Sequence, residues 1–245
     1  MRAGHTLKKR RGFLRAAAAT LALSSLPAAA RAASASAGKM KIGIVGSGRV
    51  GGTLGRVWAN AGHTVMFSSL DLEHDKALAA SVGPNARAGT PREAAAFGDV
   101  LLVSVPYHAL PKVGKDLGDL LKGKVVIDTC NPFPDRDGDI GKWAQEKGAG
   151  LASAELLPGA RIVRAFNAVG YTRMGEAARR EPRFGMPIAG DDAKAIAIAS
   201  SLIRDIGYEP VLVGPLAKGR HLVPRTPLAG ERMPDEIRKI AATLD

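Results

Sequence analysis

Apolar residues in this chain fall in short runs separated by amphipathic stretches of helix length. Ile42–Val45 is an unbroken apolar run, the pattern of a strand covered on both faces. Val50, Leu54, Val57, Trp58 and Ala61 then recur at helical spacing, and Gly62 supplies a stop. Thr64–Phe67 reads as a second strand, Asp71–Ala80 as a second helix and Ala86–Gly89 as a short third strand. Thr90, Pro91 and Glu93 have the spacing of a capping box with proline in the first turn. Val100–Val105 and Lys124–Asp128 read as two further strands. Beyond residue 150 the pattern gives a short helix at Ala154–Leu157 and strands at Arg161–Phe166, Met186–Ala189 and Pro210–Val213. Before the last of these, Asp191 is expected to cap a helix with Ile196, Ala199, Leu202, Ile203 and Ile206 on one stripe, ended by Gly207.

Strands alternating with helices across short connections predict an α/β fold, a doubly wound parallel sheet in one domain over residues 40–215. Residues 216–245 carry Pro224, Pro227 and Pro234 and read as an extended arm ending in a short helix from Asp235. The arm's Leu222, Val223 and Leu228 need cover. Either a second copy, in a homodimer, or the chain's own domain can provide it.

Composition changes this picture at one end only. Of 245 residues 46% are hydrophobic but 4% aromatic, so the core is aliphatic. The formal charge of +12 suggests nucleic acid until it is located. Residues 1–37 hold seven basic residues and no acid, which leaves +5 for the rest, with no basic stripe interleaved with aromatics. That segment has Arg10-Arg11-Gly12-Phe13-Leu14-Arg15, then the run Ala16–Leu26, too short to span a bilayer, then Pro27 and small residues. This is the layout of a cleavable export signal resembling the twin-arginine type, with cleavage after Ala32, Ala35 or Ala37. The expectation is a periplasmic or other extracytoplasmic protein without a membrane anchor after cleavage, or a cytoplasmic one if the segment is only a basic extension. The single cysteine, Cys130, excludes an intrachain disulfide and reads as a packed residue.

Candidate chemistry sits at the carboxyl ends of the expected strands, where doubly wound sheets bind ligands. The first strand runs into Gly46-x-Gly48-x-x-Gly51 and a helix, the context of a dinucleotide diphosphate site. The end of the second strand offers Ser68 and Ser69 with no acid before Asp71, which favours NADP over NAD, and Arg49 adds a cation. The segment Val105-Pro106-Tyr107-His108 and the turn Asn131-Pro132 end the next two strands of the expected sheet. No nucleophile–base set, paired carboxylates or metal cluster stands out, and His63, His74 and His221 are scattered singly, so no catalytic side chain and no metal are expected.

Taken in order, the glycine motif, Ser104–His108, Asp128-x-x-Asn131-Pro132, Val163-x-x-Phe166-Asn167 and Ile188–Asp192 resemble the NADPH-dependent coenzyme F420 reductases, a Rossmann-type family, over residues 40–215. The resemblance implies an oxidoreductase that moves a hydride between NADP(H) and a deazaflavin, or a flavin where the same domain serves membrane ferric reductases. It implies that Gly46, Ser47, Gly48, Arg49, Val50 and Gly51 hold the diphosphate and that Ser68 and Ser69 take the 2′-phosphate. Val105, Pro106 and His108 are then expected along the nicotinamide, and Asn131, Pro132, Phe166, Asn167 and Ala168 around the acceptor. Leu70 stands where the family has arginine. Two rival readings are a β-hydroxyacid dehydrogenase or imine reductase, for which the residues after 215 are too few to form a substrate domain, and an exported NADP-binding module without turnover.

Overall fold

The computed structural model describes residues 38–177 and 180–244. The expected export signal in residues 1–37 lies outside them. Strands β1 (Lys41–Val45), β2 (Thr64–Ser68), β3 (Ala86–Ala88), β4 (Val100–Val103), β5 (Val125–Asp128), β6 (Arg161–Arg164), β7 (Gly185–Gly190) and β8 (Glu209–Gly214) form one sheet. Its order is β3-β2-β1-β4-β5-β6-β7-β8. All neighbours are parallel except β6 and β7, which run antiparallel. The order reverses between β1 and β4, and such a switch point opens a crevice beyond the strand ends. The register places Ser68, Val45, Val103, Asp128 and Arg164 side by side, one row along the floor of that crevice.

Helices cover both faces. One layer holds α1 (Arg49–Asn60) and α8 (Ala193–Ile206), whose Leu54, Trp58, Ala199, Leu202 and Ile203 are buried with Ile44, Phe67, Leu102 and Ile127 of the sheet. The other holds α4 (Leu110–Leu121), α5 (Pro134–Lys147) and α6 (Ala149–Leu156), whose Leu117, Leu121, Ala144 and Ala152 pack on Leu101, Val103 and Val126. Helices α2 (Leu72–Val82), α3 (Pro91–Phe97) and α7 (Tyr171–Glu176) complete the connections. The capping box forms as the spacing predicts: the Glu93 amide donates to Thr90 Oγ1 at 3.2 Å, and the Thr90 amide to Glu93 Oε2 at 2.7 Å.

Three expectations need correction, and one helix, α5, was not expected. The cap of α8 is Asp192, which accepts from the Ala195 amide at 2.8 Å, whereas Asp191 accepts from the Leu216 amide and anchors the start of the arm. Strand β6 stops at Arg164 rather than Phe166, because Phe166 adopts φ 65°, the left-handed region, and turns the chain out of the sheet. Helix α5 leaves little apolar pattern because Gly138, at φ 61°, breaks it after one turn. The arm is not extended: a 3₁₀ turn (Leu216–His221) and α9 (Pro234–Ala241) fold it onto β7 and β8. Leu222 and Leu228 are buried there with Ala189, Val211 and Ile237. Leu222 and Leu228 thus find their cover inside the chain, while Val223 is half-buried.

Candidate functional site

Backbone geometry builds the first half of the crevice. Gly46 lies at φ 99°, and a Cβ there would meet the Ser104 carbonyl oxygen at 2.2 Å, so residue 46 must be glycine for both reasons. A Cβ at Gly51 would meet the Gly46 carbonyl oxygen at 2.0 Å; the bare backbone lets α1 seat against the turn. At Gly48 a Cβ would meet nothing within 4 Å. Its bareness serves no packing purpose inside the chain and leaves open the space where a diphosphate approaches. Helix α1 begins at Arg49 with no side-chain cap and no acid in its first turn. Its first amides therefore lack an internal partner and face the crevice with the positive end of the helix dipole, a ready anion site. Arg49 is exposed, with its guanidinium 5.8 Å from the Tyr171 ring across the cleft. Val50, half-buried, packs behind.

The hydroxyls nearby are oriented otherwise than expected. Ser68 is fully buried and donates to the Ile44 carbonyl at 2.6 Å, while its own carbonyl accepts the Gly46 and Ser47 amides. Its side chain therefore supports the turn and is not presented to a 2′-phosphate. Ser47 is 2% exposed and donates backward to Asp75, and Ser69 donates to the same carboxylate at 2.9 Å. Asp75 is a fully buried acid on α2, beyond the strand end that showed no carboxylate before Asp71. Its signal was its place one turn after the cap Asp71, on the end of α2 that points at the glycine turn. A cleft of about 590 Å³ opens beside these residues, lined by Arg49, Thr53, Arg56, Asn60 and His74 among others. The arginines lining this cleft, Arg49 and Arg56, lie on α1, while Leu70 is fully exposed and contributes no charge.

Side chains build the second half. Asp128 and Arg164 are both fully buried and paired at 2.6 Å across β5 and β6. Arg164 also donates to the Cys130 carbonyl, Asn131 Oδ1 and the Leu222 carbonyl, so one guanidinium ties two strand ends to the arm. Asn131 Nδ2 donates to the Asn167 carbonyl at 2.7 Å, and Asn167 Nδ2 to the Asp128 carbonyl at 3.1 Å. Asn131 is thus spent on bridging two turns. Asn167 is 4% exposed and its Oδ1 has no hydrogen-bond donor. Phe166 does not line the cleft: it is 2% exposed and packs edge-on against Trp58, centroids 6.1 Å apart. Pro132 is buried, and Ala168, half-buried, accepts the Gly230 amide of the arm at 2.9 Å. A smaller cleft of about 140 Å³ opens between Pro132, Gln145, Ala149, Arg220 and Val223, which brings the arm to the rim.

Above this floor, Val105 is half-buried, Pro106 is exposed and His108 turns to Asp137. His108 Nδ1 lies 2.9 Å from Asp137 Oδ1. Arg136 and the Phe133 amide also donate to this carboxylate. Burial alone would raise Asp137, but the Arg136 guanidinium and the Phe133 and His108 donors outweigh it and hold the carboxyl well below the usual carboxylate range. Cys130 is buried; burial, with Asp128 nearby, pushes its thiol up, so it is a packing residue and not a nucleophile. Among the described residues no group of three or more His, Cys, Asp or Glu could hold a metal ion. No described helix is long and apolar enough to cross a membrane.

A glycine turn feeding an uncapped helix at the switch point of a doubly wound sheet defines the class: a dinucleotide-binding α/β domain. Comparison with known proteins points the same way. Residues 41–132 match the model of the family described as NADP oxidoreductase, coenzyme F420-dependent, which supports an NADP-binding Rossmann domain similar to the F420 reductases. The F420-dependent NADP reductase of Methanothermobacter thermautotrophicus is 29% identical over 206 residues, 77% of this chain and 87% of that protein. Metalloreductase STEAP3 of Rattus norvegicus is 28% identical over 185 residues, 74% of this chain; the chain spans only 35% of that relative's length. Among solved structures, a hypothetical protein of Sinorhizobium meliloti superposes with a TM-score of 0.67 at 23% identity, covering 78% of this chain and 93% of the other. An imine reductase of Myxococcus stipitatus gives 0.55 at 18% over 74% of this chain and 57% of its own. Both likenesses concern the fold alone.

Proposed function

We propose that this protein transfers a hydride between NADPH and a flat redox heterocycle, a deazaflavin of the coenzyme F420 type or a flavin, bound at the carboxyl ends of β4, β5 and β6. The observation that carries the reading is the pairing of two half-sites along one row of strand ends. One half offers free backbone donors around Gly48. The other offers a rigid polar floor with an unpartnered acceptor, Asn167 Oδ1. Diphosphate binding falls to the amides of residues 48–51, with Arg49 supporting the charge. Arg49, Arg56 and His74 are the groups in reach of a 2′-phosphate through the 590 Å³ cleft. Val105 and Pro106 flank the nicotinamide, and Asn167 Oδ1 suits an N–H of either ring system. NADPH supplies the hydride, so the chain's task is to align two rings and exclude water between them. The relatives' printed names, an F420-dependent NADP reductase and a metalloreductase, support this class of redox chemistry and leave both ring types as candidates for this chain.

The test is an anaerobic assay of the purified protein with NADPH and, in parallel, F420, FAD and FMN. Bleaching over many turnovers with one of them supports the enzyme and names its acceptor. NADPH binding without transfer to any would leave a binding module, a sensor or partner subunit. We also propose that residues 1–37 export the folded protein by the twin-arginine route. Changing Arg10 and Arg11 to Lys should trap the protein in the cytoplasm, and unchanged export would remove the proposal.

A further inference from the structure

The His108–Asp137 pair has no part in holding either ring in the reading above, yet its surroundings are built. His108 follows β4 in a 3₁₀ turn (Tyr107–Ala109) and both its amide and its Nδ1 reach Asp137 Oδ1, at 3.2 and 2.9 Å. The Asp137 side chain is fully buried, and its two oxygens accept five hydrogen bonds, from Phe133, from Arg136 twice and from His108 twice. Gly138 takes φ 61° to break α5 directly after it. A carboxylate so supplied with donors stays ionised, and an ionised partner requires the proton on Nδ1. Nε2 is then the free atom of the ring. No described residue bonds it, and the side chain is 53% exposed.

The position is as specific as the pairing. Residues 104 and 105 press on the glycine turn, since a Cβ at Gly46 would meet Ser104 and Val105. Arg136 donates to the Asn131 carbonyl at 2.9 Å, which joins Asp137 to the Asn131–Pro132 turn. His108 itself follows the carboxyl end of β4, the strand that lies between β1 and β5 in the sheet. The charged groups around it are Asp137, Arg136 and exposed Asp135 from α5; from α4 the nearest in sequence is Lys112, paired with Asp116.

We propose that His108 is the proton donor for the reduced acceptor, with Asp137 as the positioning residue that fixes its tautomer and aim. The proposal rests on the hydride-transfer reading. In the step, the C4–H bond of the dihydronicotinamide breaks with its electron pair and a new bond to hydrogen forms on the acceptor ring. The electron pair displaced toward the far ring nitrogen takes a proton from the imidazolium form of His108, which keeps Nδ1–H on Asp137 and breaks its Nε2–H bond to become neutral. NADPH is oxidised to NADP⁺, the acceptor is reduced by two electrons, and neutral His108 regains a proton from water at its exposed side. A positioned acid contributes roughly 10²–10⁴-fold.

Two measurements test this. In the ligand-free full-length protein, ¹⁵N NMR of the His108 ring should show the Nδ1–H tautomer when neutral; an Nε2–H tautomer overturns the proposal whatever the acceptor. In turnover, His108→Gln should lower kcat by about 10²-fold with NADPH affinity unchanged, and its pH profile should flatten. Imidazole should restore part of the rate to His108→Ala, and Asp137→Asn should lower the rate less than loss of His108. A His108→Gln enzyme with wild-type rate, pH profile and solvent isotope effect overturns the proposal and leaves hydride transfer standing. A wild-type protein that reduces no acceptor removes the hydride-transfer reading and this proposal with it.

Discussion

The two halves of the crevice reach the same end by different means. Around β1, α1 and β2 the binding surface is backbone: open amides over Gly48, with Ser47, Ser68 and Ser69 turned inward to Asp75 and the Ile44 carbonyl. Around β4, β5 and β6 it is side chain: Asp128, Arg164, Asn131 and Asn167 interlock, and the arm joins through Leu222 and Gly230. A diphosphate is the same in every dinucleotide, so a fixed backbone suffices to hold it. An acceptor has no such constant part, and a side-chain floor can be rebuilt to suit it. The comparison therefore predicts that damage to the first half acts on NADPH and damage to the second acts on stability and acceptor.

Arg164→Ala should have the largest effect. It leaves Asp128 buried and unpaired, at a cost of about 3–5 kcal/mol, measurable by urea unfolding. A loss under 1 kcal/mol would mean the floor is not held by this pair. Gly48→Val comes next: a side chain in the open space above the turn should weaken NADPH at least 100-fold, about 2.7 kcal/mol, with the melting temperature nearly unchanged. A similar loss of stability would show that Gly48 serves the fold and would break the contrast. Asp75→Asn removes a negative charge behind Ser47 and Ser69 and should raise the preference for NADPH over NADH about tenfold, read from paired binding titrations. The smallest effect concerns Asp192, at the far end of β6. Its bond from Arg161 and the Ala195 amide lower its carboxyl from 3.8 to about 2. Between those values the unfolded chain binds the proton and the folded one does not, so this contribution is full above about pH 4 and fades as pH falls toward 2. Arg161→Gln should move the acid-unfolding midpoint up slightly, and an unchanged midpoint would remove the contribution.

The same contrast explains what the sequence could disclose. The glycine turn is local: Gly46, Gly48 and Gly51 lie within six residues, and their spacing between an apolar run and a helical pattern can be read without knowledge of the rest. Strands β1, β4 and β5 are short apolar runs bounded by polar or turn residues, so the order of elements was legible too. The floor was not, because its bonds join residues 36 apart in Asn131–Asn167 and in Asp128–Arg164, and 29 apart in His108–Asp137. No periodicity records such pairs. Ser68 misled for a related reason: the end of a strand tells which residues reach the crevice, but not that Ser68 turns its hydroxyl back to Ile44. Phe166 misled because its left-handed backbone carries the ring under α1. The arm's proline content suggested extension, whereas its leucines at 222 and 228 fill a third small core.

The most direct test of the central claim is a label transfer. NADPH carrying deuterium at C4, on the face the enzyme uses, is mixed anaerobically with the protein and oxidised F420, and the reduced deazaflavin is examined by mass spectrometry. The account predicts one deuterium retained on the acceptor ring carbon, because the hydride passes directly between rings aligned over the row from Ser68 to Arg164. Reduced acceptor without deuterium, after preparations carrying deuterium on either face of C4 have both been tried, would contradict direct transfer. No reduction despite NADPH binding would exclude F420 as the acceptor and send the same measurement, read as NADPH oxidation, to the flavins.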